Sequence, residues 1–225
     1  MNNIAPPKYR VLIFDMDGTI LDTIEDIAGA MNRVLAARSL PTYSVEAYKS
    51  LVGDGAEQLV RKVLGRRSPN EVQLAAALRD YRREYELCWR SHSRPYPGIP
   101  ELLRELARRR VRTAVLSNKP QAFTEVMAEE LLAPHVFNVI RGANPGVPLK
   151  PDPAPALAIA RGLDVPPASI VFLGDTKVDM KTAVGAGMLP VGALWGFRTA
   201  DELRANGAVA LAASPLDLLP YFPAA

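Results

Sequence analysis

Val11-Leu12-Ile13-Phe14-Asp15-Met16-Asp17-Gly18-Thr19 is the stretch from which the rest of the chain can be read. Four consecutive apolar residues predict a strand covered on both faces. The run stops at two carboxylates on a tight, glycine-containing turn. Comparable runs are Thr113–Leu116, Val136–Ile140, Ile170–Leu173 and Val191–Leu194. Helical patterns separate them, at Pro100–Arg109, Gln121–Leu132, Pro155–Gly162 and Lys177–Ala186. Strand–helix alternation of this kind predicts an α/β fold, a doubly wound (Rossmann-like) parallel sheet. Such sheets gather the C-terminal ends of their strands on one edge, where ligands bind.

One segment departs from the alternation. Between Asp22 and about Ser91 the sequence offers helical patterns only: Thr23–Ala37, Ser44–Leu51, Gly55–Leu64 and Asn70–Trp89. We read residues 22–92 as a small four-helix domain inserted after the first strand, and residues 8–21 and 93–225 as the α/β core. Two chain crossings between core and insert are expected to act as a hinge.

With 48% hydrophobic and 23% charged residues, the 225-residue chain has the makeup of an ordinary globular protein. Its 27 basic and 24 acidic side chains leave a formal charge of only +3, which favours neither nucleic acid nor an anionic membrane as partner. The single cysteine, Cys88, excludes an internal disulfide and reads as a structural thiol. Met1–Pro7 lacks the apolar core of a signal peptide, and no apolar run reaches the ~18 residues of a membrane span. A cytoplasmic protein is expected, monomer or homodimer.

The chemistry concentrates after strands. Two carboxylates at Asp15 and Asp17 are costly together unless a cation or proton separates them, although an Asx-turn or helix cap also explains such a pair. Ser117-Asn118-Lys119-Pro120 follows the second long strand and offers a hydroxyl and backbone N–H groups to phosphoryl oxygens. Lys150 stands among prolines in Pro148-Leu149-Lys150-Pro151-Asp152-Pro153. Gly174-Asp175-Thr176-Lys177-Val178-Asp179 places two more carboxylates at a strand end, where helix capping is the ordinary alternative. Each element alone is unremarkable, but four in this order are hard to credit to turns.

In those four motifs, and over residues 9–197, the sequence resembles the haloacid dehalogenase-like hydrolase superfamily. The resemblance implies that Asp15 is a nucleophile forming an aspartyl-phosphate, with Mg²⁺ held by the Asp15 and Asp175 carboxylates and the Asp17 main-chain carbonyl. Asp179 is then expected to orient metal-bound water, and Ser117, Asn118 and Lys150 to stabilise the transferring phosphoryl group. Asp17 takes the part of general acid and base, which points to phosphomonoester hydrolysis rather than dehalogenation, phosphonate cleavage or ATP-driven transfer. Thr19 joins the expected substrate contacts.

The insert resembles a mobile cap, and Asp54-Gly55 resembles the substrate-facing cap loop of phosphoglycolate phosphatases. Gly146–Pro153 and Trp195-Gly196-Phe197 match the same subgroup. The expected function is therefore hydrolysis of a small phosphorylated metabolite, phosphoglycolate first. Alternatives are a sugar-phosphate phosphatase, a pyrophosphatase or a β-phosphoglucomutase. Against the mutase, Ile27 occupies the place of its cap histidine, and neither His92 nor His135 sits where catalysis needs one. A catalytically silent binding protein on the same fold is the reading from another class.

Overall fold

The four residues Val11–Phe14 form β1, and all four are completely buried. The computed structural model describes residues 9–65 and 69–222; Met1–Pro7 and the last three residues of the C-terminal tail lie outside them. After β1 come a two-residue strand, Leu21–Asp22 (β2), and four helices: Ile24–Ala36 (α1), Val45–Lys49 (α2), Ala56–Leu64 (α3) and Glu71–Cys88 (α4). Arg94–Pro95 (β3) pairs with β2. Then follow Ile99–Arg108 (α5), Arg112–Pro120 (β4), Gln121–Leu131 (α6), Val139–Ala143 (β5), Ala154–Gly162 (α7), Ile170–Gly174 (β6), Lys177–Gly185 (α8), Leu189–Ala193 (β7), Ala200–Ala205 (α9) and Ala210–Ala212 (β8). The chain divides into an α/β unit, Met1–Ile20 with Pro95–Ala225, and a helical unit, Leu21–Arg94.

The larger sheet runs β5-β4-β1-β6-β7-β8, and its pairings are parallel. Successive side chains of a strand point to opposite faces. Val11 and Ile13 of β1 join Ile170 and Phe172 of β6 under Ala156, Ile159 and Ala160 of α7 and Ala183 of α8. Phe14, of the other face, meets Phe137 edge-on with ring centroids 6.3 Å apart. Each such side chain contributes about 1.5–3 kcal/mol on full burial. In α5, Ile99, Leu102, Leu103 and Leu106 form the buried stripe expected of a helix laid on a sheet.

One expectation is corrected. The run Val136–Ile140 is not itself a strand: Val136 is 85% exposed and the strand begins only at Val139. Phe137 anchors the loop, and edge strand β5, paired on one side, accommodates Arg141 and Gly142 that an apolar reading passes over. The C-terminal segment packs on the α/β unit. Pro215–Tyr221 forms a 3₁₀ helix against α5, with Leu218 and Phe222 buried. Arg109 Nη1 donates to the carbonyls of Leu219 and Phe222, at 2.9 and 2.8 Å.

Within the helical unit, two helices begin at side-chain caps. Ser44 accepts from the N–H of Ala47, and Asn70 and Gln73 make a reciprocal capping box. A less predictable feature ties the two ends of the unit together. Asp26, in the first turn of α1, is buried and accepts from the backbone N–H groups of His92 and Ser93 and from the Ser93 hydroxyl. His92 Nδ1 lies 2.9 Å from the same carboxylate. Burial raises the Asp26 pKa, but these hydrogen bonds outweigh it and hold the group below its ordinary value. Its stabilisation is therefore present above the ordinary carboxylate pKa and fades as acid protonates it.

Removing Asp26 strands several buried donors at once. Asp26→Ala should cost about 2–4 kcal/mol of stability, by the usual cost of unsatisfied and charge-assisted hydrogen bonds. Urea unfolding at pH 7 measures it, and the difference from wild type should shrink when both are unfolded near pH 3.

Candidate active site

The register of the sheet brings the site together. Phe14 stands beside Val115 of β4 on one side and Leu173 of β6 on the other. The residues that follow those three strands therefore emerge side by side: Asp15 after β1, Ser117–Lys119 late in β4, and Asp175 after β6. Asp15 N–H still donates to Leu173 O at 2.9 Å, which fixes where its side chain starts. Lys150 arrives from the loop before α7, and Asp179 from the first turn of α8.

Asp15, Asp175 and Asp179 each place a carboxylate oxygen within 4.8 Å of the others, and all three residues are buried. Lys150 Nζ lies 2.6 Å from Asp15 Oδ1 and 2.7 Å from Asp179 Oδ1. Burial first, then the charge of Asp179, pushes Asp15 well above the ordinary carboxylate value, against the pull of Lys150. The same two causes push Asp175 up to about 7. For Lys150, burial favours the neutral amine, but Asp15 and Asp179 outweigh it and hold the ammonium charged.

Asn118 aims Lys150 through its backbone. Its Oδ1 accepts from Lys150 N–H at 2.9 Å and its Nδ2 donates to Lys150 O at 3.0 Å. Ser117 Oγ accepts from the Lys119 N–H at 3.1 Å. Asp179 does two jobs: Oδ1 faces Lys150, while Oδ2 accepts from Thr176 N–H and Oγ1 in the capping box that starts α8. The helix-capping alternative weighed for that carboxylate is thus realised.

Asp17 is set apart from the triad. Its two carboxylate oxygens lie 2.9 and 3.1 Å from Lys119 Nζ. The intervening turn needs Gly18, whose φ is +86° and where a Cβ would overlap Asp175 Oδ2 and the Phe197 ring. Thr19, expected to touch substrate, is fully buried and donates to Asp175 Oδ1 at 2.7 Å. The structure gives it the work of holding a carboxylate. Trp195 Nε1 donates to Thr19 O, and Phe197 N–H to Asp175 Oδ2, both at 2.8 Å. The loop after β7 is thus a brace for the first and fourth motifs.

Residues 12–193 match the family described as haloacid dehalogenase-like hydrolase. The chain belongs to that family. Among relatives of these haloacid dehalogenase-like hydrolases, a phosphoglycolate phosphatase of Pseudomonas putida is 31% identical, covering 88% of this chain and 74% of its own. Phosphoglycolate phosphatase 1 of Pseudomonas aeruginosa is 29% identical over 94% of this chain and 79% of its own. A crystal structure of a candidate phosphoglycolate phosphatase from Lactobacillus delbrueckii subsp. bulgaricus superposes with a TM-score of 0.89 at 28% identity, covering 94% of this chain and 97% of that one.

Of the residues singled out from sequence, Asp15, Asp17, Thr19, Ser117, Asn118, Lys150, Asp175 and Asp179 all lie in the α/β unit, at or just after the ends of β1, β4 and β6, in the loop before α7, or in the first turn of α8. Asp54 and Gly55 lie in the helical unit. There Asp54 Oδ2 pairs with Lys62 Nζ at 2.5 Å, and Gly55 caps α3 with φ +87°. Two features escaped the sequence reading. Lys119 was visible only as part of a turn motif, and the brace from Trp195 and Phe197 only as a matching tripeptide. Nothing in the spacing says which carboxylate a lysine or an indole will reach.

The buried triad fits a hard divalent cation. Its donors are carboxylate oxygens, and two of the three are driven toward protonation when no cation offsets their charges. Between the ordinary 3.8 and about 7, folded Asp175 keeps a proton that the unfolded chain releases, so metal-free stability falls as pH rises through that window. A cation binds the ionised form. Mg²⁺ at about ten times its Kd should add ~1.4 kcal/mol, about 3–6 °C in Tm, at pH 8. The increment should nearly vanish at pH 5. Thermal unfolding with Mg²⁺ against a chelator reads this, and equal increments at both pH values contradict it.

Proposed function

We propose that this chain is a Mg²⁺-dependent phosphatase that hydrolyses phosphoglycolate through an aspartyl-phosphate on Asp15. The observation that carries the reading is the division of labour between two carboxylates of one turn. Asp15 is buried against Lys150, and Asp17 is held by Lys119 outside the metal-binding triad. The relatives named phosphoglycolate phosphatase support the choice of substrate.

In the proposed reaction, an Asp15 carboxylate oxygen attacks phosphorus in line while the ester oxygen departs and takes a proton from Asp17. Asp17 then removes a proton from water, which attacks the same phosphorus. Inorganic phosphate leaves and the Asp15 carboxylate is restored. Lys150, kept cationic by Asp15 and Asp179, balances charge on the phosphoryl oxygens, with the Ser117 hydroxyl and the Asn118 N–H beside it. Asp15, Asp175 and the Asp17 carbonyl would hold Mg²⁺, with Asp179 orienting its bound water, and the cation would lower the repulsion between the anionic nucleophile and the anionic ester. The helical unit, with Asp54 and Gly55, is the proposed cap that selects the leaving group.

Asp15→Asn removes the nucleophile, and turnover of any phosphomonoester should fall below about one part in a hundred, with Tm retained or raised because a buried charge is lost. Retention of more activity in the folded variant rules out covalent catalysis at this residue. Asp17→Asn should slow alkyl esters by about 10²–10⁴-fold and aryl esters with good leaving groups much less. Steady-state rates over a panel of phosphate esters test both variants and the substrate assignment; fast turnover of a hexose phosphate with negligible turnover of phosphoglycolate refutes the latter.

A further inference from the structure

Lys119 is a second buried lysine at the same strand ends, and the reaction above gives its charge no task. It is only 9% exposed, and its ammonium sits on both oxygens of Asp17. The other lysine, Lys150, is taken up by Asp15 and Asp179. The two positive charges are therefore divided between the attacking carboxylate and the one that serves the departing oxygen. Charge on the phosphoryl group is met from the Lys150 side. A cation on the Asp17 side faces whatever is attached to the ester oxygen.

We infer that Lys119 reads the leaving group: its ammonium receives a carboxylate carried one carbon from the ester oxygen, so that the favoured substrates are phosphate esters of short α-hydroxy acids. This inference rests on the proposed function, with Asp17 as the group that protonates the leaving oxygen.

The reach follows from distances already given. To exchange a proton, Asp17 must stand about 2.6–3.2 Å from the ester oxygen. Lys119 Nζ stands 2.9 and 3.1 Å from the oxygens of the same carboxylate. A carboxylate one carbon beyond the ester oxygen can then reach ion-pair range of that ammonium. A hydroxymethyl group in its place offers a neutral hydrogen bond only. In a site this sheltered from water, a charge-assisted bond is the stronger of the two and hard to replace. The residue also keeps its role toward Asp17, since an ammonium has three donors to share.

The test uses the full chain with Mg²⁺ and two esters of the same carbon chain length, phosphoglycolate and 2-hydroxyethyl phosphate, which differ only in carboxylate against hydroxymethyl. Wild type should prefer phosphoglycolate. Lys119→Met should reduce that preference, as the ratio of the two kcat/KM values, by about 10–100-fold, chiefly through KM for phosphoglycolate. Lys119→Arg, which keeps the charge, should retain most of the preference. If the Met variant slows both esters by the same factor, Lys119 only holds Asp17 and the inference is overturned. Should that variant turn over too slowly to assay, calorimetric affinities for 3-phosphonopropionate and 3-hydroxypropylphosphonate replace the rates, and an unchanged affinity ratio overturns it equally. A wild-type enzyme indifferent to the carboxylate shows instead that the substrate assignment itself is wrong, before any variant is made.

Discussion

The Lys150 ammonium, buried between Asp15 and Asp179, is the interaction on which the site depends. Isolated charges in a protein interior are expensive, and pairs hold only with good geometry and further hydrogen bonds. Much of the surrounding structure supplies that geometry. Asn118 clamps the Lys150 backbone from both sides, Thr176 satisfies the far oxygen of Asp179, and Leu173 fixes the Asp15 backbone. Three carboxylates against one lysine still leave an excess of negative charge. That excess makes the cluster a receptor for a cation rather than a structural salt bridge.

The site is assembled from ordinary devices given a second use. A capping box starts α8 as it starts many helices, and here its acidic member is also part of the carboxylate cluster. A threonine hydroxyl and a backbone N–H, from Thr19 and Phe197, orient Asp175 from opposite sides. At Gly196 a Cβ would overlap both Asp175 and Gly18 O, so the brace can approach only because no side chain intervenes. Such supporting contacts fix the carboxylates that follow β1 and β6.

Most of the fold was legible because its signals are local. The buried strands β1 and β6 are uninterrupted apolar runs, and the eight helices read from sequence all form, with ends displaced by no more than two residues. Helix caps at Ser44 and Asn70 were written in the usual residues. What was misread depends on neighbours. The start of β5 is set by its pairing with β4, and β8 and α9 are too short and mixed to carry a period of their own. In the site, the identity of the carboxylates was readable from motif order, while the pairing of Lys119 with Asp17 joins residues about a hundred positions apart. Thr19 shows the limit most clearly: a hydroxyl in a reactive turn was assigned to substrate, and the fold spends it on Asp175.

The position of β1 also constrains how the chain comes to be folded as it is synthesised. Val11–Phe14 is made well before its neighbours in the sheet, Arg112–Val115 and Ile170–Leu173. The helical unit, Leu21–Arg94, is continuous in sequence and can close on itself before either neighbour exists. At translation rates of about 5–20 residues per second, this apolar strand waits roughly 5–20 seconds for its first partner. During that interval the finished helices and an unpaired strand share one nascent chain. Pairing at such sequence distance makes the α/β unit the slow, late step of biogenesis, and β1 the segment most exposed to chaperones in the meantime.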